Sequence, residues 1–360
     1  MNNLSTKTQY YSLDFMKFWC AIMVIALHSV TYSMQGLSVD GGIPHDATNP
    51  VLVYLLPIAH LLTRYAVPFF FVTSSFFLFS KINAQPTDKV SIVKHFVKRI
   101  LILYAFWLVL NIPIVLSKHV FSTTPLAWWQ ILVKLIVWGL YDGAWYMVSM
   151  IVATLIVYAL RNHTKLLIII SILGYLLACL SSSYLGLLED TPIYPIVSSI
   201  HEIGAIYHTP LNALIFVAIG KIFADNPSIK TPKLWILIVL FLLMYIELVI
   251  LNLADISRAP DCYITLVPFS AMLFGYVKSI KLTPHHRYAH MRRASAYMYP
   301  FHFVLLYWSF YLIQALAPTF PTDSVIVSVV VYLLTVIISI VCYYLTYKIS
   351  KKIPLLKYSM

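Results

Sequence analysis

Asp14, Lys17 and His28 fall within a single apolar stretch, SLDFMKFWCAIMVIALHS. On a helix advancing about 100° per residue, the eleven steps from Lys17 to His28 return to within about 20° of the starting direction, and Asp14 lies about 40° from His28. The three form one stripe, with Lys17 and His28 roughly 16 Å apart along the axis at about 1.5 Å per residue. An imidazole takes a proton from a hydroxyl near neutral pH, and a lysine or arginine holds anionic groups. The structural reading of the same residues pairs Asp14 with Lys17 three positions on, lets Lys17 snorkel, and leaves His28 hydrogen-bonded in a core. A charge inside a bilayer costs about 2.5–3.5 kcal/mol on insertion scales, so such residues face protein or water.

Arg64 also lies inside an apolar run and needs a partner. It is a candidate to stabilise an oxyanion or to organise a buried acid such as Glu247. His60, His201, Glu202 and His208 lack metal-ligand spacing, and no metal is expected. Cys20, Cys179, Cys262 and Cys342 are scattered and read as reduced packing residues.

The elements that must position these groups are membrane helices. The chain is 61% hydrophobic and only 11% charged, against about 25% charged in soluble domains, and its mean hydropathy is +0.83. A helix needs roughly 20 apolar residues to cross a bilayer. That rule predicts an all-α polytopic bundle of about ten transmembrane helices, near 13–33, 51–79, 100–117, 145–160, 164–181, 205–223, 234–252, 262–278, 295–316 and 324–347. The whole of 1–360 reads as one membrane domain. Pro57 and Pro68 give the long 51–79 run places to tilt or break.

Charge distribution orients the bundle. With the N-terminus cytoplasmic, the outer segments hold only Lys118, Lys134 and Arg258, while Lys17 and Arg64 sit within spans. The remaining Lys and Arg fall in inner segments, which places both termini inside and the protein in the cell membrane. The net charge of +12 is therefore a topology signal, and a nucleic-acid partner is not expected. Residues 128–141, WWQILVKLIVWGLY, are too short to span and rich in Trp; they read as an interfacial or re-entrant helix.

At this point the chain resembles the acyltransferase 3 family of polytopic membrane acyltransferases. The family hallmark is a basic residue, ten intervening residues and a histidine in the first span, matched by Lys17 and His28. RYAVPFFFVTSSFFLF (64–79) is similar to the family's basic residue followed by V-P-x-F-F and a Ser-Gly pair. KRILILY (98–104), AWYMVSM (144–150), NALIFVAIGKI (212–222) and SAYMYPFHFVLLY (295–307) resemble later blocks, in family order across nearly the whole chain.

The resemblance implies an acyl-CoA donor, usually acetyl-CoA, and a hydroxyl acceptor on a surface glycan or lipid-linked sugar. In that reading His28 takes the acceptor's proton, a covalent acyl-histidine being the less favoured variant, with Asp14, Lys17 and Arg64 in the catalytic machinery. Lys98 and Arg99 meet CoA phosphates, or only set topology. Trp145, Tyr299 and His302 line the acceptor site. The rival readings are a transporter or exporter of a glycan or small solute, and a non-catalytic membrane subunit. The chain departs from the family pattern at several points. Ser74-Ser75 replaces the Ser-Gly pair, which relaxes an expected close backbone approach. Gly143-Ala144 stands where many members have a polar residue, Leu211 replaces a frequent arginine, and Phe96-Val97-Lys98-Arg99 lacks the first arginine of R-x-x-R.

Overall fold

The computed structural model describes residues 10–33, 50–119, 126–316 and 325–360. Among the described residues, thirteen α-helices and several short 3-10 turns make up the regular structure, and there is no strand. The helices are α1 (Tyr11–Ser33), α2 (Pro50–Arg64), α3 (Ala66–Ala84), α4 (Lys89–His119), α5 (Trp128–Val137), α6 (Ala144–Ala159) and α7 (Thr164–Leu180). They continue as α8 (Tyr194–His201), α9 (Pro210–Asp225), α10 (Leu234–Leu253), α11 (Leu266–Ser279), α12 (Arg287–Leu316) and α13 (Val325–Ile349).

Among the described residues, five segments are long and apolar enough to cross a membrane: Tyr11–Ser29, Pro57–Ala84, Lys89–Ser117, Leu234–Leu253 and Ser328–Ile349. The expectation of ten drew on shorter or more polar helices as well. α6, α7, α9 and α11 have 14 to 17 residues, so at about 1.5 Å each they fall short of the roughly 30 Å hydrocarbon layer. α12 has 30 residues, but the Tyr, Ser, His and Pro residues of its uncharged part after Arg293 dilute its apolar character. α4 and α12 also begin eleven and eight residues before their predicted spans, because hydropathy marks the apolar part of a helix and not its polar extension.

The 51–79 run breaks at Tyr65, between α2 and α3. Pro68 has no N–H to donate to the carbonyl of Arg64, four residues back, which is the usual cause of such a break. The short α5 has no buried residue.

α9 sits at the centre, packed on α3, α6 and α7, while α1 packs on α12 and α13. Gly220 of α9 lets its backbone approach α3: a Cβ there would overlap Val72 and Ser75. Ser75 Oγ donates to the Val217 carbonyl at 2.6 Å. The close approach expected to relax at Ser74-Ser75 is thus retained, with the glycine supplied by the opposite helix. The four cysteines are free thiols, three of them buried.

Candidate functional site

Because α1 runs along α12, the polar stripe of the first helix meets residues nearly 300 positions later. At one end of the stripe Asp14 is buried and accepts a hydrogen bond from Arg292 Nη1 at 3.3 Å. The ion pair therefore spans two helices and does not join Asp14 to Lys17. Lys17 is partly buried and forms no ion pair among the described residues, though the charges of Asp14, Arg99 and Arg292 all act on it. Three cations and one acid gather there.

Further along the stripe, the half-buried His28 ring stacks on His302, with centroids 5.4 Å apart and planes inclined 27°. Phe303 touches His28 at 4.6 Å. His302 is fully buried, and its Nδ1 lies 3.1 Å from the Met298 carbonyl in the preceding helical turn. A carbonyl only accepts, so Nδ1 carries the proton. Tyr299, one turn before Phe303, donates its hydroxyl to the Gly143 carbonyl at 3.2 Å. Gly143 itself has a φ of +80°, left-handed backbone that turns the chain into α6, and a Cβ there would overlap the Phe303 ring.

α6 contributes Trp145, whose indole lies face to face with His208 at 4.7 Å and 17°. Tyr207 closes edge-on against His208 at 4.6 Å. Tyr146 packs on Tyr299 at 5.1 Å and on Phe71 at 4.7 Å. Asp142, Arg64 and His208 lie within electrostatic range of His28, so these groups share one region of the molecule.

Arg64 has a different partner from the one anticipated. It forms an ion pair with Asp261, in the segment before α11, and its Nε donates to His60 Nε2 at 3.0 Å. The same His60 nitrogen is 2.9 Å from the Pro260 carbonyl. One nitrogen cannot both accept from Arg64 and donate to Pro260, so the tautomer selects between them. Glu247, the expected acid, instead accepts from the Tyr184 hydroxyl (2.5 Å), the backbone N–H groups of Ile264 (2.6 Å) and Thr265 (2.9 Å), and the Thr265 hydroxyl. Those bonds satisfy donors just before α11, a structural duty for a half-buried carboxylate.

The two adjacent cations Lys98 and Arg99 part company on α4. Successive helical residues diverge by about 100°. Lys98 lines an open cleft of about 820 Å³ with Lys89, Lys94, His95, Arg161 and Tyr158. Arg99 instead adds its charge to the Lys17 and Arg292 cluster. The Arg161 guanidinium is held over the Tyr158 ring at 4.4 Å.

An acyltransferase-domain profile, that of the acyltransferase 3 family, matches residues 10–344. The chain belongs to this family. Among curated proteins it is similar to an amino-acid racemase of Enterococcus faecalis, 26% identical over 288 residues, which cover 75% of this chain and 36% of that protein. It is also similar to a serine/alanine racemase of Enterococcus gallinarum, 25% identical over 306 residues, covering 81% of this chain and 40% of the relative. The chain thus spans two fifths or less of the relatives' length. No solved structure matches it.

The fold of this acyltransferase 3 chain brings His28, Trp145, Tyr299 and His302 into one region with the charge of Arg64. It gathers Arg99 of α4 and Arg292 of α12 with Asp14 and Lys17 near the start of α1, and sends Lys98 to the cationic cleft. Sequence reasoning passed over His208, Asp142, Phe303, Arg292 and Asp261. His208 lacks metal-ligand spacing, and its stacking on Trp145 leaves no mark in either segment alone. Asp261 was legible only as one acid among several between apolar runs.

Proposed function

We propose that this protein is a membrane O-acyltransferase that moves an acetyl or other short acyl group from acyl-CoA to a hydroxyl of a surface or lipid-linked glycan. The observation that carries the reading is the His28–His302 stack beside Tyr299, on a helix that also bears Lys17. Family membership supports acyl transfer as the reaction class. The racemase names belong to proteins of which this chain covers 36% and 40%, and they are not carried over to it.

In the proposed reaction His28 takes the acceptor's proton while the hydroxyl oxygen attacks the thioester carbonyl. The tetrahedral oxyanion then collapses, the C–S bond breaks, and the His28 imidazolium returns a proton to the thiolate. The positive charge of Arg64 favours the oxyanion through space, discounted by its pairing with Asp261. Donor phosphates meet the cleft of Lys94, His95, Lys98 and Arg161, and the cluster of Lys17, Arg99 and Arg292 lines the way to His28. Acyl-CoA is cytoplasmic and surface glycans mature outside. A bundle of about ten spans in the cell membrane with both termini inside, as the Lys and Arg distribution supports, suits a site reached from both faces.

The test is transfer of labelled acetyl from acetyl-CoA to a panel of envelope glycans by the reconstituted protein. His28→Ala is expected to lower the rate by about 10²–10⁴-fold, the usual share of a positioned acid–base group. Transfer that survives this change sinks the mechanism. Movement of solute with no thioester consumed sinks the function in favour of a transporter.

A further inference from the structure

His302 poses a specific hydrogen-bonding problem. Its side chain is fully buried, and its Nδ1 proton is committed to the Met298 carbonyl. The neutral ring therefore presents Nε2 as a bare lone pair, and that atom has no hydrogen-bond partner among the described residues. A buried acceptor left without a donor costs about 1–3 kcal/mol. The neighbouring rings do not supply one: Phe303 has no polar hydrogen, and His28 meets His302 face to face, with its ring nitrogens in the stacked plane. Tyr299 is close, but its hydroxyl is spent on Gly143.

A hydroxyl group has one proton. If the reacting hydroxyl gives its proton to His28, it cannot also satisfy His302 one ring-stacking distance away. We propose that His302 Nε2 accepts a hydrogen bond from a second, neighbouring hydroxyl of the acceptor, so that the stacked pair selects a vicinal or closely spaced diol of the kind a sugar ring carries. This rests on the acyltransferase reading and adds a specificity rule to it. His302 is then a binding residue with its tautomer preset by α12, and His28 remains the proton acceptor. A lone primary alcohol, such as that of a lipid alcohol or a serine side chain, fills only half of the pair.

The experiment uses reconstituted full-length protein, labelled acetyl-CoA, and alkyl glycosides together with their single-position deoxy counterparts. For wild type, removing the hydroxyl next to the acetylated one is expected to lower kcat/KM about tenfold to a hundredfold, the span of one lost buried hydrogen bond. His302→Ala is expected to lower kcat/KM for the intact glycoside by at least a similar factor and for the deoxy glycoside by distinctly less, so the two losses do not add. His302→Gln, whose amide oxygen accepts a hydrogen bond, is expected to recover part of the discrimination. Additive losses, or equal loss on both acceptors from a variant whose thermal unfolding matches wild type, overturn the proposal. Wild-type discrimination that persists in His302→Ala also overturns it. Absence of any acetyl transfer by wild type overturns the acyltransferase reading itself, and this inference with it.

Discussion

Asp14 of α1 and Arg292 of α12 are 278 positions apart and form an ion pair at 3.3 Å. The pair clamps the start of the first helix against α12 while leaving Lys17, one turn on, without a direct partner among the described residues. Asp14 is buried, and its second oxygen has no hydrogen-bond donor among the described residues. Arg292→Ala is therefore expected to destabilise the protein. The Arg292 side chain is 54% exposed, so the loss is about 1 kcal/mol, well below the 3–5 kcal/mol of a fully buried pair. Thermal unfolding in detergent measures it. Adding Asp14→Asn to Arg292→Ala is expected to cost nothing further, because it removes the uncompensated charge.

The Arg64–Asp261 pair is drier, at 13% and 21% side-chain exposure. Either Arg64→Ala or Asp261→Asn alone is expected to lower stability by about 3 kcal/mol. Arg64→Met combined with Asp261→Leu is expected to recover most of that stability. Acetyl transfer is expected to stay below wild type in the double variant, since the cation acting on His28 and His208 is gone. Full recovery of transfer alongside stability would make Arg64 a purely structural residue.

Gly143→Ala tests how the site is held. The position has φ +80° and no room for a Cβ beside Phe303. A loss of about 1–3 kcal/mol is expected from backbone strain. Because Phe303 packs on His28 and Tyr299 bonds to the Gly143 carbonyl, acetyl transfer should fall by more than the folded fraction does. Activity normalised to folded protein is the measurement, and a proportional fall would remove Gly143 from the site.

The parting of Lys98 and Arg99 separates two effects that a motif alone would merge. Lys98→Ala and Arg161→Ala are each expected to raise KM for acetyl-CoA roughly fivefold, about 1 kcal/mol for a contact in an open cleft, with kcat little changed. Their effect should shrink as salt is added, because screening already weakens exposed pairs. Arg99→Ala, directed toward Lys17 and Arg292, is expected to change that KM less. Steady-state kinetics at two ionic strengths decide it, and equal effects at Lys98 and Arg99 would count against a donor role for the cleft.

The sequence by itself determined the all-helical class, the short α5 and the polar face of α1, because helical periodicity and apolar composition are local properties. The ordered blocks from Lys17 to His302 determined the family for the same reason: each is a short, contiguous string. The number of spans is not a local property: α6, α7, α9 and α11 are shorter than a bilayer crossing, and hydropathy does not reveal how a short helix is buried among neighbours. Only the tertiary structure decided who pairs with whom. Arg292 took Asp14, Asp261 took Arg64 and left Glu247 to bind the N–H groups just before α11, and Gly220 supplied the close approach missing at Ser75. His302 came to lie on His28, and His208 on Trp145. Each of these contacts joins segments tens to hundreds of residues apart, and its geometry is set by how whole helices pack, which no local pattern of residues encodes.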